Sequence, residues 1–189
     1  EPLAERMRPQ TLDEYVGQQH LVGEGAVLRR MLESGRIPSF ILWGPPGVGK
    51  TTLARIVARQ LKVPFYTLSA VTSGVKEVRE VIERAKNSSF FNTTSPILFI
   101  DEIHRFSKSQ QDTLLGAVEH GTVTLIGATT ENPSFEVIRP LLSRCQVYVL
   151  KPLDKQDLQR LLERAITEDA ELSKKHIELK ETGAMMRYS

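Results

Sequence analysis

Short apolar runs alternate with amphipathic stretches along most of this chain. Unbroken apolar runs are typical of strands that are buried on both faces, and apolar residues three and four apart are typical of helices. The predicted strands are Phe40–Trp43, Phe65–Leu68, Ile97–Ile100, Val123–Ala128 and Val147–Leu150. This alternation predicts an α/β fold: a parallel sheet with helices on both faces and its ligand at the carboxyl ends of the strands.

A helix is predicted directly after the first strand, over Thr51–Leu61. Its apolar positions share one helical face. They are Leu53, Ile56, Val57 and Leu61. Similar spacing predicts helices near residues 28–32, 75–85 and 114–118.

The pattern changes after Pro152, where strand-like runs cease. Asp154 would cap a helix with one apolar face. The residues expected to be buried on it are Leu158, Leu161, Leu162, Ala165 and Ile166. A second helical stretch is predicted near Glu178. We therefore predict an α/β domain over residues 1–152, which opens with a polar arm, and the beginning of a small helical domain over residues 153–189.

Composition adds modest constraints. At 40% hydrophobic and 25% charged residues the chain can form an ordinary core and surface, and its net charge of +2 does not by itself indicate a nucleic-acid-binding protein. A single cysteine, Cys145, excludes a disulfide framework and favours a reducing, cytoplasmic compartment. No apolar run approaches a membrane span, so no membrane association is expected. The chain starts without Met, and we expect it to be a fragment of a longer protein.

The segment between the first strand and its helix fits the phosphate-binding pattern G-x-x-x-x-G-K-[ST]. Backbone N–H groups of such a loop point at phosphate oxygens, its lysine reaches the β- and γ-phosphates, and its hydroxyl binds Mg²⁺. The helix N-terminus adds partial positive charge. The residues predicted to bind ATP here are Gly44, Pro45, Pro46, Gly47, Val48, Gly49, Lys50, Thr51 and Thr52.

Two adjacent carboxylates end the apolar run at residues 97–100. Asp101 is predicted to hold Mg²⁺ together with Thr51, and Glu102 to activate the attacking water. The alternative is that both acids merely open a helix, where negative charge is favoured. For the nearby His104 we expect a local packing or hydrogen-bonding role and no catalytic one.

Several longer motifs resemble those of one family of ATPases. Residues 7–18 resemble the "RP-x-x-L-x-E-x-x-G-Q" box of clamp-loader-type AAA+ ATPases, and residues 143–145 resemble their "SRC" motif. The stretches "HRFSKSQQD" (104–112) and "GATTENPSF" (127–135) are more specific. On these residues the chain is similar to the replication-associated recombination protein A family (RarA, also called MgsA), to which the Werner helicase-interacting ATPases belong.

The resemblance implies a P-loop AAA+ fold followed by a helical lid, and it assigns further roles. Arg8, Val16 and Gly17 would contact the adenine base. Thr130 matches the sensor that touches the γ-phosphate or the water, with Asn132 a weaker candidate. Arg144 matches an arginine finger that acts on the nucleotide of the neighbouring subunit. The implied catalytic residues are Lys50, Glu102, Thr130 and Arg144.

The resemblance also implies a DNA-dependent ATPase that acts at stalled or gapped forks in replication, recombination and repair. Its implied partners are DNA ends and junctions, single-strand-binding protein, and further copies of itself, often four, in the cytoplasm at the nucleoid. Candidate DNA contacts are Lys76, Arg79, Arg84, Lys86, Arg105 and Lys108. Interspersed Glu77, Glu80 and Glu83 fit a merely solvated helix face equally well.

Other functions stay open at this point. A clamp-loader subunit or a branch-migration motor shares the generic ATPase motifs. A scaffold that binds ATP without hydrolysing it is a second alternative, although Lys50, Asp101, Glu102 and Arg144 are all present. A small-molecule kinase would explain neither the Arg-Pro box nor the helical segment after residue 152.

Overall fold

Five strands pair in parallel in one sheet, in the order β2-β3-β4-β1-β5. The strands are β1 (Phe40–Trp43), β2 (Phe65–Ser69), β3 (Ile97–Asp101), β4 (Thr124–Thr129) and β5 (Gln146–Val149). All begin and end within one residue of the predicted strands. The predicted α/β class with a parallel sheet is confirmed.

The structure, a computed structural model, describes residues 8–88, 94–168 and 174. These residues belong to two compact units: Gln18–Pro152, which contains the sheet, and a smaller unit that joins the arm before Gln18 to the residues from Leu153 onward. The division into domains 1–152 and 153–189 stays a prediction. The helical stretch predicted near Glu178 lies outside the described residues.

Helices connect the strands as the periodicity predicts. In the larger unit they are α1 (Gln19–Val22), α2 (Val27–Ser34), α3 (Lys50–Leu61), α4 (Val75–Ser88), a 3₁₀ helix (Ile103–Arg105), α5 (Lys108–Glu119), α6 (Pro133–Glu136) and α7 (Arg139–Leu142). The smaller unit contains α8 (Lys155–Glu168). Among the described residues, no helix is both long enough and apolar enough to cross a membrane.

The core lies around the three central strands. Phe40, Ile41 and Leu42 of β1 are all 0% exposed, and β3 is equally buried up to its last residue. Helix α4 packs on this core through Val78, Val81, Ile82 and Ala85. Burial on both faces is what the continuous apolar runs require, and it leaves only the strand ends available for polar chemistry.

The smaller unit shows one departure from the sequence-based expectation. Arg164 of α8 donates hydrogen bonds to the backbone oxygen of Glu14 (3.0 Å) and to its carboxylate, which attaches the arm to one side of the helix. Leu158 and Leu162 are 55% and 62% exposed, so the prediction that they are buried is wrong. Leu162 lies two residues before Arg164, which on a helix places it on nearly the opposite side from the arm.

Two adjacent glutamines connect α5 to its surroundings. Gln110 completes a capping box with Ser107, and its side-chain nitrogen donates to the backbone oxygen of Ser73 at 2.6 Å. Gln111, only 2% exposed, donates to the backbone oxygens of Phe106 (3.1 Å) and Glu136 (3.0 Å). Its amide oxygen accepts from the N–H of Ile138 at 2.8 Å. One buried side chain therefore joins the start of α5 to the segment between α6 and α7.

Replacing Gln111 by Ala should lower the free energy of unfolding by about 2–4 kcal/mol. The change removes the partner of one buried and two partly buried backbone groups, and an unsatisfied buried group costs roughly 1–3 kcal/mol. Chemical denaturation followed by circular dichroism measures the difference. Gln60→Ala, on the exposed side of α3, is the matched control and should change stability by less than about 0.5 kcal/mol. Equal stability of the two variants would contradict the structural role of Gln111.

Candidate functional site

The predicted phosphate-binding loop joins the end of β1 to the start of α3. Gly47 and Gly49 have φ angles of 78° and 90°, in the left-handed region that favours glycine. Gly49 directly precedes the first helical residue, Lys50. The loop therefore leads straight into a helix N-terminus, where unpaired N–H groups and the helix dipole favour an anion.

Lys50 has its ammonium group among backbone oxygens. Its Nζ donates to the oxygens of Gly44 and Pro45 (3.1 Å) and lies 3.4 Å from that of Thr129. Burial lowers the pKa of Lys50 below its usual value, and the negative charge of Asp101 opposes that shift. Asp101 thus favours the charged form of the lysine, which is the form that binds phosphate.

Asp101 is the exposed last residue of the otherwise buried strand β3. Glu102 follows it in a left-handed conformation with φ of 52°, which costs a non-glycine residue about 1 kcal/mol. Its N–H donates to Asp101 Oδ1 at 3.0 Å, and its backbone oxygen accepts from the N–H of Arg105 at 2.9 Å. The sharp turn ends the strand and starts the 3₁₀ helix.

These elements surround one cavity of about 310 Å³. Its lining residues are Pro46, Gly47, Gly49, Lys50, Thr51, Thr52, Asp101, Glu102 and Thr130. Every one of them was predicted from the sequence to belong to the nucleotide site. The structure brings them together, and their individual roles stay predictions.

The remaining loop residues, Gly44, Pro45 and Val48, are not among those that line the cavity. Gly44 and Pro45 contribute the carbonyl oxygens that contact Lys50. Val48 is only 4% exposed, so its side chain belongs to the core and only its backbone could serve a phosphate. Arg8, Val16 and Gly17 belong to the smaller unit, and their predicted contact with adenine stays a prediction.

Arg144 lies between α7 and β5, and its side chain is exposed. Its neighbour Cys145 packs against the core, and burial raises the pKa of that thiol to about 12. Cys145 therefore anchors the segment as a neutral apolar side chain, while Arg144 faces solvent. Exposure is compatible with the predicted arginine finger, whose role stays a prediction.

Two residues of the site region have contacts that sequence reasoning missed. Thr129, 2% exposed, has its hydroxyl oxygen 2.9 Å from Nδ1 of His104. Strand alternation was the available signal, because it directs only one of two consecutive threonines into the protein. Asn132 caps α6, where its Oδ1 accepts from the N–H of Ser134 at 3.0 Å, and it is not among the residues lining the cavity.

The donor set suits Mg²⁺ held jointly with phosphates. Mg²⁺ prefers oxygen ligands, keeps several waters and binds few protein groups in nucleotide sites. Thr51 and Asp101 supply a hydroxyl and a carboxylate to the same cavity. In the described ranges no group of three or more His, Cys, Asp or Glu residues could hold a metal without such help.

Comparison with known proteins agrees with this geometry. A family model described as "ATPase family associated with various cellular activities (AAA)" matches residues 40–153. The chain belongs to the AAA family. The matched range starts at β1, includes every residue that lines the cavity and ends at the first residue of the smaller unit's second segment.

Individual relatives narrow the assignment. The replication-associated recombination protein A of Escherichia coli is 55% identical over 88% of this chain and 37% of its own length. The protein of the same name from Coxiella burnetii is 54% identical over 95% of this chain and 40% of its own length. The resemblance to the RarA family is confirmed. The chain spans about two fifths of the length of these relatives.

A solved structure supports the fold of this AAA chain. The RuvB Holliday junction branch migration motor of Thermotoga maritima superposes with a TM-score of 0.69 at 30% identity. The match covers 85% of this chain and 54% of that one. The P-loop AAA+ fold predicted from the sequence is thereby confirmed.

Lys50→Ala should weaken binding of Mg²⁺·ATP about 10- to 150-fold, because a hydrogen bond to a charged group contributes roughly 1.5–3 kcal/mol. Fluorescence anisotropy with a labelled ATP analogue measures the affinity. Lys62→Ala removes an exposed lysine just beyond the other end of α3 and should leave affinity unchanged. If both variants bind like the unmodified protein, the cavity does not hold the phosphates.

Proposed function

We propose that this chain is the nucleotide-hydrolysing part of a DNA-dependent ATPase that acts at stalled or gapped replication forks. One observation carries the proposal: six residues of the phosphate-binding segment, from Pro46 to Thr52, line a single cavity together with Asp101, Glu102 and Thr130, in a chain of the RarA family. ATP is the proposed substrate, and replication, recombination and repair are the proposed setting.

The proposed reaction is hydrolysis of the γ-phosphate of ATP. Thr51 and Asp101 would hold Mg²⁺, which neutralises charge on the β- and γ-phosphates. Glu102 is proposed to orient a water and accept its proton, while Thr130 fixes the position of that water. The water oxygen bonds to the γ-phosphorus as the bond to the bridging oxygen breaks, which gives ADP and phosphate.

Arg144 is proposed to complete the site of a neighbouring copy. Its exposure supports this role, since a side chain that acts on another subunit must reach beyond its own surface. Arginines supplied in this way contribute about 10³–10⁵ in rate. The active form would then be a homo-oligomer, with a tetramer as the proposed state.

DNA is proposed to contact the exposed basic side chains of α4 and of the start of α5. Several candidates already have protein contacts: Lys86 with Glu83 at 3.4 Å, Arg84 with the Tyr66 ring at 5.8 Å, and Arg105 with Glu102 at 4.0 Å. Lys76, Arg79 and Lys108 are the better candidates, and they would bind phosphates without reading sequence. Single-strand-binding protein is the proposed partner on such DNA, in the cytoplasm at the nucleoid.

A second candidate function is favoured by the similarity to RuvB, a branch migration motor. Movement of a four-way DNA junction driven by ATP, assayed by strand separation on gels, distinguishes the two. Turnover that is stimulated by gapped or forked DNA without junction movement supports the fork function. Junction movement at a rate that follows hydrolysis supports the motor.

Steady-state hydrolysis by the full-length protein tests the central proposal. Gapped or forked DNA should stimulate turnover, Glu102→Gln should abolish it while ATP still binds, and Arg144→Ala should reduce it about 10³-fold or more. Arg139→Ala, at an exposed arginine of α7, is the control and should retain activity. An unmodified protein that binds ATP but shows no turnover with or without DNA would be a scaffold.

Mixing the two inactive variants tests whether Arg144 acts between subunits. A subunit with Arg144→Ala keeps Glu102, and a neighbour with Glu102→Gln keeps Arg144, so mixed oligomers contain complete sites. Activity should therefore reappear on mixing, whereas each variant alone stays inactive. If the subunits exchange but mixing restores no ATP hydrolysis, Arg144 does not complete a neighbour's site.

Combining Lys76→Ala with Arg79→Ala should weaken DNA binding to the same extent on all sequences. Each lost phosphate contact lowers the slope of log affinity against log salt by about 0.9, so the slope should fall by about 2. Anisotropy titrations of labelled forked DNA over a range of salt concentrations measure it. Lys62→Ala should leave the slope unchanged, and an unchanged slope in the double variant would place the DNA elsewhere.

A further inference from the structure

The 3₁₀ helix after Glu102 is fixed to the end of β4 by two side chains for which the proposed reaction has no role. Ile103 is 0% exposed and lies against Gly127, where a Cβ atom would be 3.1 Å from Ile103 Cδ1. Glycine at this position allows the close approach. His104 makes the second attachment through its hydrogen bond of 2.9 Å to the hydroxyl of Thr129.

Thr129 connects this attachment to the loop after β1 and to the turn that contains Thr130. Its backbone oxygen accepts from the N–H of Gly44 at 3.1 Å and lies 3.4 Å from Lys50 Nζ. Its hydroxyl accepts from the N–H of Glu131 at 2.9 Å, which fixes the turn that contains Thr130. Thr129 therefore contacts both the lysine and the turn that contains the predicted sensor.

The two contacts of the Thr129 hydroxyl favour one tautomer of His104. The Thr129 hydroxyl has one hydrogen, and it donates to the backbone oxygen of Glu131 at 3.1 Å. With that hydrogen on Glu131, the tautomer that satisfies both contacts has a hydrogen on Nδ1 of His104, which donates it to the Thr129 oxygen; we take this direction as part of the proposal below. The imidazole is held by this bond and does not line the cavity, so it acts through Thr129 rather than on the nucleotide.

We propose that His104 is a positioning residue whose hydrogen bond to Thr129 holds Glu102 at the correct distance from Thr130 across the nucleotide cavity. The proposal rests on the proposed function, in which these two residues share one water. The left-handed backbone of Glu102 is strained and keeps its shape only where neighbours hold it. Ile103 supplies an apolar contact that can slide, whereas the hydrogen bond of His104 fixes direction and distance.

The test uses the full-length protein with paired variants. His104→Phe keeps a ring but removes both nitrogens, and it should lower kcat about 10- to 100-fold through misplacement of Glu102. Affinity for Mg²⁺·ATP should stay unchanged. His104→Asn places an amide where Nδ1 lies and should restore most of the lost rate. His120→Phe, at an exposed histidine after α5, is the control and should not alter kcat.

A double-mutant cycle isolates the bond itself. Thr129→Val removes the hydroxyl, and its effect on kcat should be much smaller in the His104→Phe background than in the unmodified protein. The proposal is overturned if the two substitutions lower kcat independently, so that their effects multiply. It is also overturned if His104→Phe leaves kcat unchanged or lowers only the affinity for nucleotide. No turnover by the unmodified protein would instead refute the proposed function, and the role of His104 with it.

A spectroscopic readout tests the geometry without turnover. In ¹⁵N spectra of selectively labelled protein, Nδ1 of His104 should appear protonated and hydrogen-bonded, and Thr129→Val should shift its resonance. Variants that still bind ATP establish that the fold survives. If Nδ1 is unprotonated in the unmodified protein, the proposed direction of the bond is wrong and the proposal is overturned.

Discussion

The parallel pairing of β4 with both β1 and β3 is the constraint on which the site depends. The register sets Trp43 beside Thr129 and Ile100 beside Gly127, so the loop after β1, the carboxylates after β3 and the turn after β4 meet at one edge. Because side chains alternate along a strand, a slip of one residue would direct Thr130 rather than Thr129 into the core. Because both faces of β1 are buried, such a slip would also force its side chains to repack against the opposite layer.

Local signatures in the sequence were sufficient to predict the strands and most residues that line the cavity, whereas Thr130 was assigned only from the resemblance to the RarA family. The central strands β1 and β3 are apolar at every buried position, and a phosphate-binding loop needs particular residue types at fixed spacing. The contacts of Gln111 and His104 leave no such signature. Each depends on one polar residue that contacts a partner 25 or 27 positions away, at a distance that only the folded sheet determines.

The failed expectation for α8 has a related cause. Periodicity correctly predicted a helix with one apolar side, but it cannot identify what that side packs against. The arm is attached through Arg164 and Glu14, a polar contact off the apolar stripe, and Leu158 and Leu162 stay exposed. Periodicity therefore predicts where this helix lies, whereas its burial depends on the elements that pack against it.

The charges that line the cavity suit a nucleotide with a bound metal ion better than a nucleotide without one. Lys50 and the N-terminus of α3 would attract phosphates, but Asp101 and Glu102 line the same cavity and would repel them. Asp101 and Thr51 would hold a divalent cation that offsets this repulsion, and Glu102 would then stay available for its proposed role as proton acceptor.

The buried polar contacts also limit how the cavity can change shape. Gln111 joins the start of α5 to the α6–α7 segment, and Thr129 joins the 3₁₀ helix to the loop and the turn after β4. In the described part of the chain every buried side-chain nitrogen and oxygen has a hydrogen-bond partner. Separating these elements would leave several such groups without partners, each at a cost of roughly 1–3 kcal/mol. These contacts therefore favour a larger unit that keeps its internal arrangement.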